Sequence, residues 1–362
     1  MSDTRENPTG RIAVVTGASA GVGRAVALEL AGRGYDVALL ARGQAGLDAA
    51  AEEVRALGRR ALPVSTDVSD HRQVDAAAER IEAELGPIDL WVNNAMTTVF
   101  ARLRDIEAEE FERATRVTYL GQLHGALAAL RYMRPRDRGT VVFIGSALAY
   151  RGIPLQSAYC GAKFAVRGLH DSLRCELLEE GSNVRTTIVH LPAVNTTQFG
   201  WCLAKVDRHP MPVPPIYEPE RVARSIADAA EALPRQKVVG TWNWMVVQMA
   251  QLMPGVGDHY MARTGVSGQL TDQRIDPGRR DNLHTPVDRE EDHGPRGIFG
   301  DQADGVLTPS FLRSLPSQAL SFALAIGDRA LETARQRRPL PLTRLPAARR
   351  QSMAPRPSRA SA

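Results

Sequence analysis

The sequence predicts an α/β domain in which helices cover both faces of a parallel β-sheet. Short apolar runs rich in β-branched residues alternate with longer helical patterns from residue 11 to about residue 239, and most of these runs are continuously apolar. Strands of a parallel sheet are buried on both faces, so such runs separated by helices are typical of a three-layer, doubly wound fold. A glycine-rich turn directly after the first run is the third observation that favours this class.

Seven runs are predicted as strands on this basis. They are Ile12–Thr16, Asp36–Leu40, Ala61–Ser65, Leu90–Asn93, Thr140–Ile144, Arg185–His190 and Lys237–Val239. Stretches rich in Ala, Leu, Arg and Glu lie between them and are predicted as helices, for example Gly23–Arg33, Leu47–Leu57 and Gln73–Leu85.

The pattern divides the chain into five parts. Residues 1–9 are polar and predicted to be disordered, and residues 10–265 form the α/β domain. Residues 266–314 contain Asp-Pro, Gly-Pro and Asp-Gly breakers and are predicted to be an irregular extension. An amphipathic helix is predicted over 315–337, followed by a disordered Pro/Arg-rich tail over 338–362.

The net charge of +4 comes from 45 basic and 41 acidic residues among 362. Residues 1–267 are neutral overall, whereas residues 333–362 hold eight arginines and no acid. The basic excess therefore belongs to the tail, and nucleic acid is not a predicted partner. Contact of the C-terminal region with an anionic membrane surface is a less favoured alternative to a solvated extension.

The three cysteines, Cys160, Cys175 and Cys202, are too few and too irregularly spaced for a disulfide framework or a zinc site. No metal site is predicted. The N-terminus lacks the apolar stretch of a signal peptide, and no apolar run reaches the roughly 18 residues of a membrane-spanning helix. A cytoplasmic protein is expected.

The turn after the first strand reads TGASAGVG, with Gly17, Gly21 and Gly23 spaced as G-x3-G-x-G. Glycines let the backbone approach a pyrophosphate, whose charge then lies at the N-terminus of the following helix. We expect these glycines, with Ser19 and Val22, to bind a dinucleotide. A tight turn without a ligand is the alternative, and the strand–loop–helix context favours binding.

The second strand ends at Ala41 and Arg42, where a site for NAD usually offers an acidic residue to the ribose hydroxyls. A guanidinium suits a 2′-phosphate, so NADP is favoured over NAD. The alternative is that Arg42 is simply solvated. Asp67 and Val68 follow the third strand and suit the adenine edge and ring, although a strand-end cap explains them nearly as well.

Ser146 follows the fifth strand, and Tyr159 and Lys163 lie one helical turn apart on one face. A phenol has a pKa of about 10, so proton transfer near neutral pH needs a cation that favours the phenolate. Lys163 supplies that cation, and it is the sole lysine before residue 205. The alternative is an exposed lysine beside a core tyrosine.

The TGASAGVG loop, the NNA sequence at Asn93–Ala95, Ser146 and the YCGAK sequence that begins at Tyr159 together resemble the short-chain dehydrogenase/reductase family, over roughly residues 10–265. The resemblance implies a Rossmann-type fold and a nicotinamide coenzyme. It also implies a homodimer or homotetramer, formed through the helices that contain Tyr119 and Tyr159.

The same resemblance assigns roles to single residues. Tyr159 is the implied general acid/base, and Lys163 binds the nicotinamide ribose and lowers the tyrosine pKa. Ser146 orients the substrate oxygen. Asn94 and Ala95 belong to the implied coenzyme site.

The sequence departs from the family pattern at three places. Met96 replaces a glycine near the nicotinamide, and Thr118 stands where the family has an asparagine that helps hold a relay water. Either the Thr118 hydroxyl substitutes for that asparagine, which makes Thr118 a candidate catalytic residue, or the relay is rearranged. Ala193 replaces the glycine of a Pro-Gly pair. The implied nicotinamide contacts there are Pro192, Val194 and Thr197, with Thr196 as a rival to Thr197.

Apolar residues around the expected substrate position predict a hydrophobic ketone or alcohol. They are Met96, Leu148, Ile153, Phe199 and Trp201. The alternative is that these residues pack the expected substrate loop, which follows the sixth strand, against the domain. The methionine-rich stretch 242–253 is predicted as a helix in the core or at an interface, with covering the cleft or touching a membrane as alternatives.

The sequence thus predicts an NADP(H)-dependent oxidoreductase that interconverts a carbonyl and an alcohol. A catalytically silent dinucleotide-binding sensor or scaffold is the alternative, suggested by Met96, Thr118 and Ala193. A sugar-nucleotide epimerase or dehydratase is a third hypothesis, but it would need a larger C-terminal substrate domain than the breaker-rich region after residue 268 indicates.

Overall fold

The computed structural model describes residues 10–305 and 309–336. A seven-stranded parallel sheet forms its centre, as the sequence predicted, in the order β7-β6-β5-β4-β1-β2-β3. Its strands are β1 Ile12–Thr16, β2 Asp36–Ala41, β3 Ala61–Ser65, β4 Ile88–Asn93, β5 Thr140–Ser146, β6 Arg185–Leu191 and β7 Gln236–Val238. β5 and β6 are longer than predicted because Gly145 and Ser146 continue the pairing, opposite His190 and Leu191.

Eleven α-helices are described in these residues. They are α1 Gly21–Gly32, α2 Gln44–Ala56, α3 His71–Glu84, α4 Ala108–Thr115, α5 Gly121–Arg136, α6 Ser157–Glu179, α7 Gln198–Trp201, α8 Pro219–Ala232, α9 Thr241–Leu252, α10 Pro254–Thr264 and α11 Pro309–Gln336. Buried side chains of α1, α2 and α8 pack on one face of the sheet, and those of α3, α5 and α6 pack on the other. The predicted doubly wound, three-layer class is confirmed.

A π-helical turn, Arg116–Leu120, joins α4 to α5. Such turns interrupt the regular helical hydrogen bonds and are frequent at functional sites. Thr118 lies in this turn and is completely buried.

Short strand pairs build the region beyond the carboxyl ends of the sheet. Arg208–Pro210 pairs with Leu270–Arg274 in antiparallel fashion, and Val99–Phe100 pairs with Leu203–Ala204. α11 packs on α10 through Tyr260 and Phe322, whose ring centroids are 6.3 Å apart. None of the described helices is long and apolar enough to cross a membrane.

Residues 275–303, which we call the strap, follow the strand Leu270–Arg274 and contain 3-10 turns at Val287–Arg289 and Gly300–Gln302. The strap lies within the segment predicted to be irregular. The helix predicted over 315–337 begins earlier, at Pro309 in α11. The predicted disordered segments 1–9 and 338–362 lie outside the described residues.

Candidate active site

A cavity of about 1070 Å³ opens at the carboxyl ends of the strands, where β1 and β4 lie side by side and the chain order reverses. This switch point is where open α/β sheets bind ligands. The volume lies at the upper end of the range for single small-molecule sites, so it has room for a large ligand. All the predicted site residues line the cavity except Gly23 and Thr118.

The glycine-rich loop needs its glycines for steric reasons. Gly17 has a φ of +68°, and a Cβ on Gly23 would lie 2.1 Å from the carbonyl oxygen of Gly17. The Asn94 side chain donates to the carbonyl oxygen of Thr16 at 2.9 Å and so fixes the loop to β4. The result is a tight backbone turn, with no side chains on its glycines, before the N-terminus of α1. Such a turn fits the pyrophosphate of a dinucleotide. Gly23 allows this close packing without lining the cavity itself.

At the end of the cavity next to the carboxyl end of β2, where the sequence predicts the adenosine of the coenzyme, Arg42 donates to the carbonyl oxygen of His284 in the strap at 2.8 Å. We call this the adenosine end. The Arg42 guanidinium also donates to the carbonyl oxygen of Asn282. Burial lowers the pKa of Arg42, as does the nearby Arg113, while Asp67 and Asp288 act in the opposite direction. Arg42 therefore lies where the sequence predicted, but it is bound to the strap.

Asp67 is held by Arg113, a residue that the sequence reasoning missed. The Arg113 guanidinium lies 2.6 Å from Asp67 Oδ2. Burial raises the pKa of Asp67, but hydrogen bonds from Arg113 and Ser69 outweigh it and lower the pKa overall. The neighbouring Val68 lines the cavity and is buried against Gly121.

Ser146, Tyr159 and Lys163 come together at the floor of the cavity. Tyr159 is half-buried and hydrogen-bonded to Ser146. Lys163 is only 1% exposed, and its Nζ donates to the carbonyl oxygen of Ile144 at 2.6 Å. The Nζ also lies 5.5 Å from the centroid of the Tyr159 ring.

Burial has opposite effects on the two titratable groups of this cluster. It raises the pKa of Tyr159 to about 12, against the lowering effect of the Ser146 hydrogen bond. It lowers the pKa of Lys163 to about 7. The expected lowering of the tyrosine pKa is thus not found in this structure, because desolvation of the phenolate dominates. At neutral pH the phenol is protonated.

Thr118 does not line the cavity, and its hydroxyl is hydrogen-bonded within the protein. Its Oγ1 donates to the carbonyl oxygen of Thr97 at 2.7 Å and accepts from the Thr97 amide at 3.0 Å. One turn later, Gln122 donates to the Ile144 carbonyl oxygen at 3.1 Å, the same oxygen that Lys163 contacts. Its own Oε1 is buried without a hydrogen-bond partner among the described residues.

His190, to which the sequence analysis assigned no role, supports the Ser146 backbone. Its Nδ1 lies 3.2 Å from the carbonyl oxygen of Ser146, and its Nε2 lies 3.2 Å from the hydroxyl of Tyr150. Burial lowers the pKa of His190 to about 4, so the ring is neutral at neutral pH.

The end of the cavity beyond Tyr159 is apolar and rich in methionine. Six of the nine methionines of the chain line the cavity. They are Met96, Met211, Met245, Met249, Met253 and Met261. Three of them lie on or next to α9, so the stretch 242–253 covers the cleft, which was one of the alternatives left open by the sequence.

Comparison with protein families gives a match between residues 11–203 and the family described as short chain dehydrogenase. The chain is also 30% identical over 276 residues to an uncharacterized oxidoreductase, YxnA, of Bacillus subtilis, a match that covers 76% of this chain and 78% of that protein. A 3-ketodihydrosphingosine reductase of Bos taurus is 34% identical over 191 residues. That match covers 51% of this chain and 57% of the reductase.

Two solved structures are similar in fold. The alcohol dehydrogenase from the archaeon Thermococcus sibiricus, complexed with 5-hydroxy-NADP, aligns with a TM-score of 0.55 and 27% identity, over 63% of this chain and 95% of that one. A short chain dehydrogenase/reductase from Burkholderia phymatum, in complex with NAD, aligns with a TM-score of 0.62 and 22% identity, over 67% and 93% of the two chains.

Proposed function

Because the chain belongs to the short chain dehydrogenase family and is an NAD(P)-binding oxidoreductase, we propose that it uses NADP(H) to interconvert a carbonyl and an alcohol on a hydrophobic substrate. The observation that carries this proposal is the cluster of Ser146, Tyr159 and Lys163 in one cavity with the glycine-rich loop. A phenol, a hydroxyl and an ammonium group in that position can move a proton to or from a substrate oxygen.

The hydride is supplied or accepted by the nicotinamide coenzyme when it is bound. In the direction of reduction, the Tyr159 hydroxyl donates its proton to the substrate oxygen, and Ser146 Oγ donates a hydrogen bond to the same atom. A pKa of about 12 keeps the phenol protonated at neutral pH, which suits an acid. In the direction of oxidation, the Lys163 ammonium stabilises the phenolate that receives the proton. The remaining N–H groups of Lys163 would be available to the coenzyme ribose.

The preference for NADP over NAD is proposed from the end of β2. Ala41 and Arg42 line the cavity and offer no carboxylate to the ribose hydroxyls. An arginine at this place accommodates a 2′-phosphate. Thr197, Pro192 and Val194 line the nicotinamide end in this proposal.

The methionine-lined end supports a substrate with a long apolar chain. Thioether side chains are flexible and polarisable, so they adapt to an extended alkyl group better than a rigid aromatic wall does. Phe199 and Trp201 also line the cavity. The name of the bovine relative, a 3-ketodihydrosphingosine reductase, also favours a long-chain ketone and the direction of reduction.

The proposed assembly is a homodimer or homotetramer in the cytoplasm. Leu127 on α5 and Phe164 on α6 support the assembly, because these large apolar side chains are 55% and 45% exposed on the helices expected at the interface. The three cysteines are unpaired, which is consistent with a reducing compartment.

The function is tested with Tyr159→Phe and a panel of long-chain ketones and alcohols, assayed with NADPH and NADP. We expect kcat/KM to fall by about a thousand-fold or more, while the coenzyme Kd changes less than about three-fold, because Phe keeps the ring and removes only the proton. Tyr132→Phe, on α5 and away from the cavity lining, is the matched control and should keep full activity. Tight coenzyme binding without Tyr159-dependent turnover would instead favour the sensor or scaffold.

A further inference from the structure

The strap crosses the cavity on the side of the glycine-rich loop. Its Asn282 amide donates to the carbonyl oxygen of Trp201 at 2.8 Å, and its Gly294 carbonyl oxygen accepts from the amide of Gly21 at 3.3 Å. Further along, the Gly297 amide donates to the carbonyl oxygen of Asn195 at 3.3 Å. The strap therefore contacts the substrate loop, the glycine-rich loop and the segment after β6, and it forms part of the coenzyme site.

Asp288 is a buried acidic residue of the strap at the adenosine end. It is 7% exposed and lines the cavity. A Cβ placed on Gly43 would lie 1.9 Å from Asp288 Oδ1, and a Cβ on Gly46 would lie 2.9 Å from Oδ2. The same Cβ on Gly46 would lie 2.9 Å from the Cβ of Ser19. The carboxylate thus fills the space over the first turn of α2 that these two glycines leave open.

This space is next to the position that distinguishes the two coenzymes. Arg42, directly before Gly43, is the residue proposed to read the ribose 2′ substituent. The ribose carries a neutral hydroxyl in NAD and a phosphate with a charge of about −1.5 to −2 in NADP. Asp288 is close enough to Arg42 to favour its charged form, as is Asp67, whereas Arg113 opposes it. Asp67 is already paired with Arg113. Asp288 is therefore a second carboxylate near Arg42 at this end of the cavity.

We propose that Asp288 is a coenzyme-selectivity residue supplied by the strap, whose carboxylate repels the 2′-phosphate and so limits the preference for NADP that Arg42 provides. The proposal rests on the proposed function, because it requires a dinucleotide in this cavity. In this proposal the strap supplies the acidic residue that is absent from the end of β2.

The test measures the binding of NADP and NAD by isothermal titration calorimetry, without substrate and without turnover. Asp288→Asn keeps the volume and removes the charge, so we expect the Kd for NADP to fall by about ten-fold, with less than about a three-fold change for NAD. Glu291→Gln is the matched control, since it removes one exposed carboxylate from the same strap and should leave the ratio of the two constants unchanged. Asp288→Ala provides a second variant should the amide disturb folding.

Three results would overturn the proposal. In the first, the wild type binds both coenzymes, but neither Asp288→Asn nor Asp288→Ala changes the ratio of NADP to NAD affinity. The proposed function then still stands. The second is a change in the ratio of NADP to NAD affinity with Glu291→Gln that equals the change with Asp288→Asn. The effect would then come from the overall negative charge of the strap and not from the position of Asp288. The third is a wild type that binds neither coenzyme, which overturns the proposed function as well.

Discussion

Replacing Lys163 by methionine is expected to stabilise the folded protein at acidic pH, although Lys163 belongs to the proposed catalytic group. Burial lowers the pKa of Lys163 from its ordinary 10.5 to about 7. At 1.36 kcal/mol per pKa unit, the buried charge costs about 5 kcal/mol when the group is protonated in both states. Methionine has a similar length and no charge.

The lost hydrogen bond offsets part of this gain. The Nζ of Lys163 donates to the Ile144 carbonyl oxygen, which still accepts from Gln122 in the variant. A loss of about 1–2 kcal/mol is reasonable for that bond. The expected net gain for Lys163→Met at pH 6 is therefore about 3 kcal/mol.

The sign of the pH dependence follows from proton binding. Between pH 7 and 10.5 the unfolded chain holds a proton on Lys163 that the folded chain has released, so this group makes the wild type more stable as the pH rises. The free-energy cost of burying the Lys163 charge is fully present below pH 7 and disappears as the pH approaches 10.5. At pH 9 it is about 2 kcal/mol, so the gain of the variant shrinks to near zero.

Urea unfolding followed by tryptophan fluorescence, at pH 6 and at pH 9, measures this gain. Lys205→Met is the control with the opposite sign, because a hydrogen bond to Glu110 at 2.9 Å raises the pKa of Lys205. That variant should gain no stability at either pH. If Lys163→Met were less stable than the wild type at pH 6, or gained equally at both pH values, the reasoning would be refuted.

Three further outcomes are expected. Arg42→Ala should lower the affinity for NADP relative to NAD by about ten-fold in calorimetric titrations, and an unchanged ratio would contradict the 2′-phosphate assignment. Gly23→Ala should weaken coenzyme binding at least ten-fold and lower Tm, because the new Cβ would lie 2.1 Å from a backbone oxygen, whereas Gly32→Ala in the same helix has open space and serves as control. Thr118→Val should lower the free energy of unfolding by about 1–3 kcal/mol, as it leaves two buried backbone groups without partners, while Thr118→Ser should retain most of the stability.

The sheet and the glycine-rich loop were predictable because local patterns determine them. Most of the strands are short apolar runs, and the errors are at ends such as Ser146, where pairing with β6 extends β5. The glycines at positions 17 and 23 follow from the steric needs of one turn. Such features require no knowledge of distant residues.

The partners of the site residues were not predictable, because they come from distant parts of the chain. Arg113 and Asp67 are 46 residues apart, and nothing near either residue indicates their ion pair. The stretch 242–253 was apolar enough for a core or an interface, and only tertiary packing directs its methionines into the cavity. An amphipathic pattern indicates which face is buried but not what it contacts.

The strap illustrates why composition misleads when order depends on long-range contacts. Its Asp-Pro and Gly-Pro breakers predicted an irregular extension, and the strap is indeed mostly without regular elements. Yet Asp292 forms an ion pair with Arg24, whose guanidinium also binds Glu53 at 3.0 Å, and Asp288 fills the space over Gly43. The acidic side chains of the strap are complementary to basic side chains around the coenzyme cleft. The charged residues of the strap are therefore better explained by their contacts with the site than by solvation. The 2′-phosphate of NADP would have to share Arg42 with the strap.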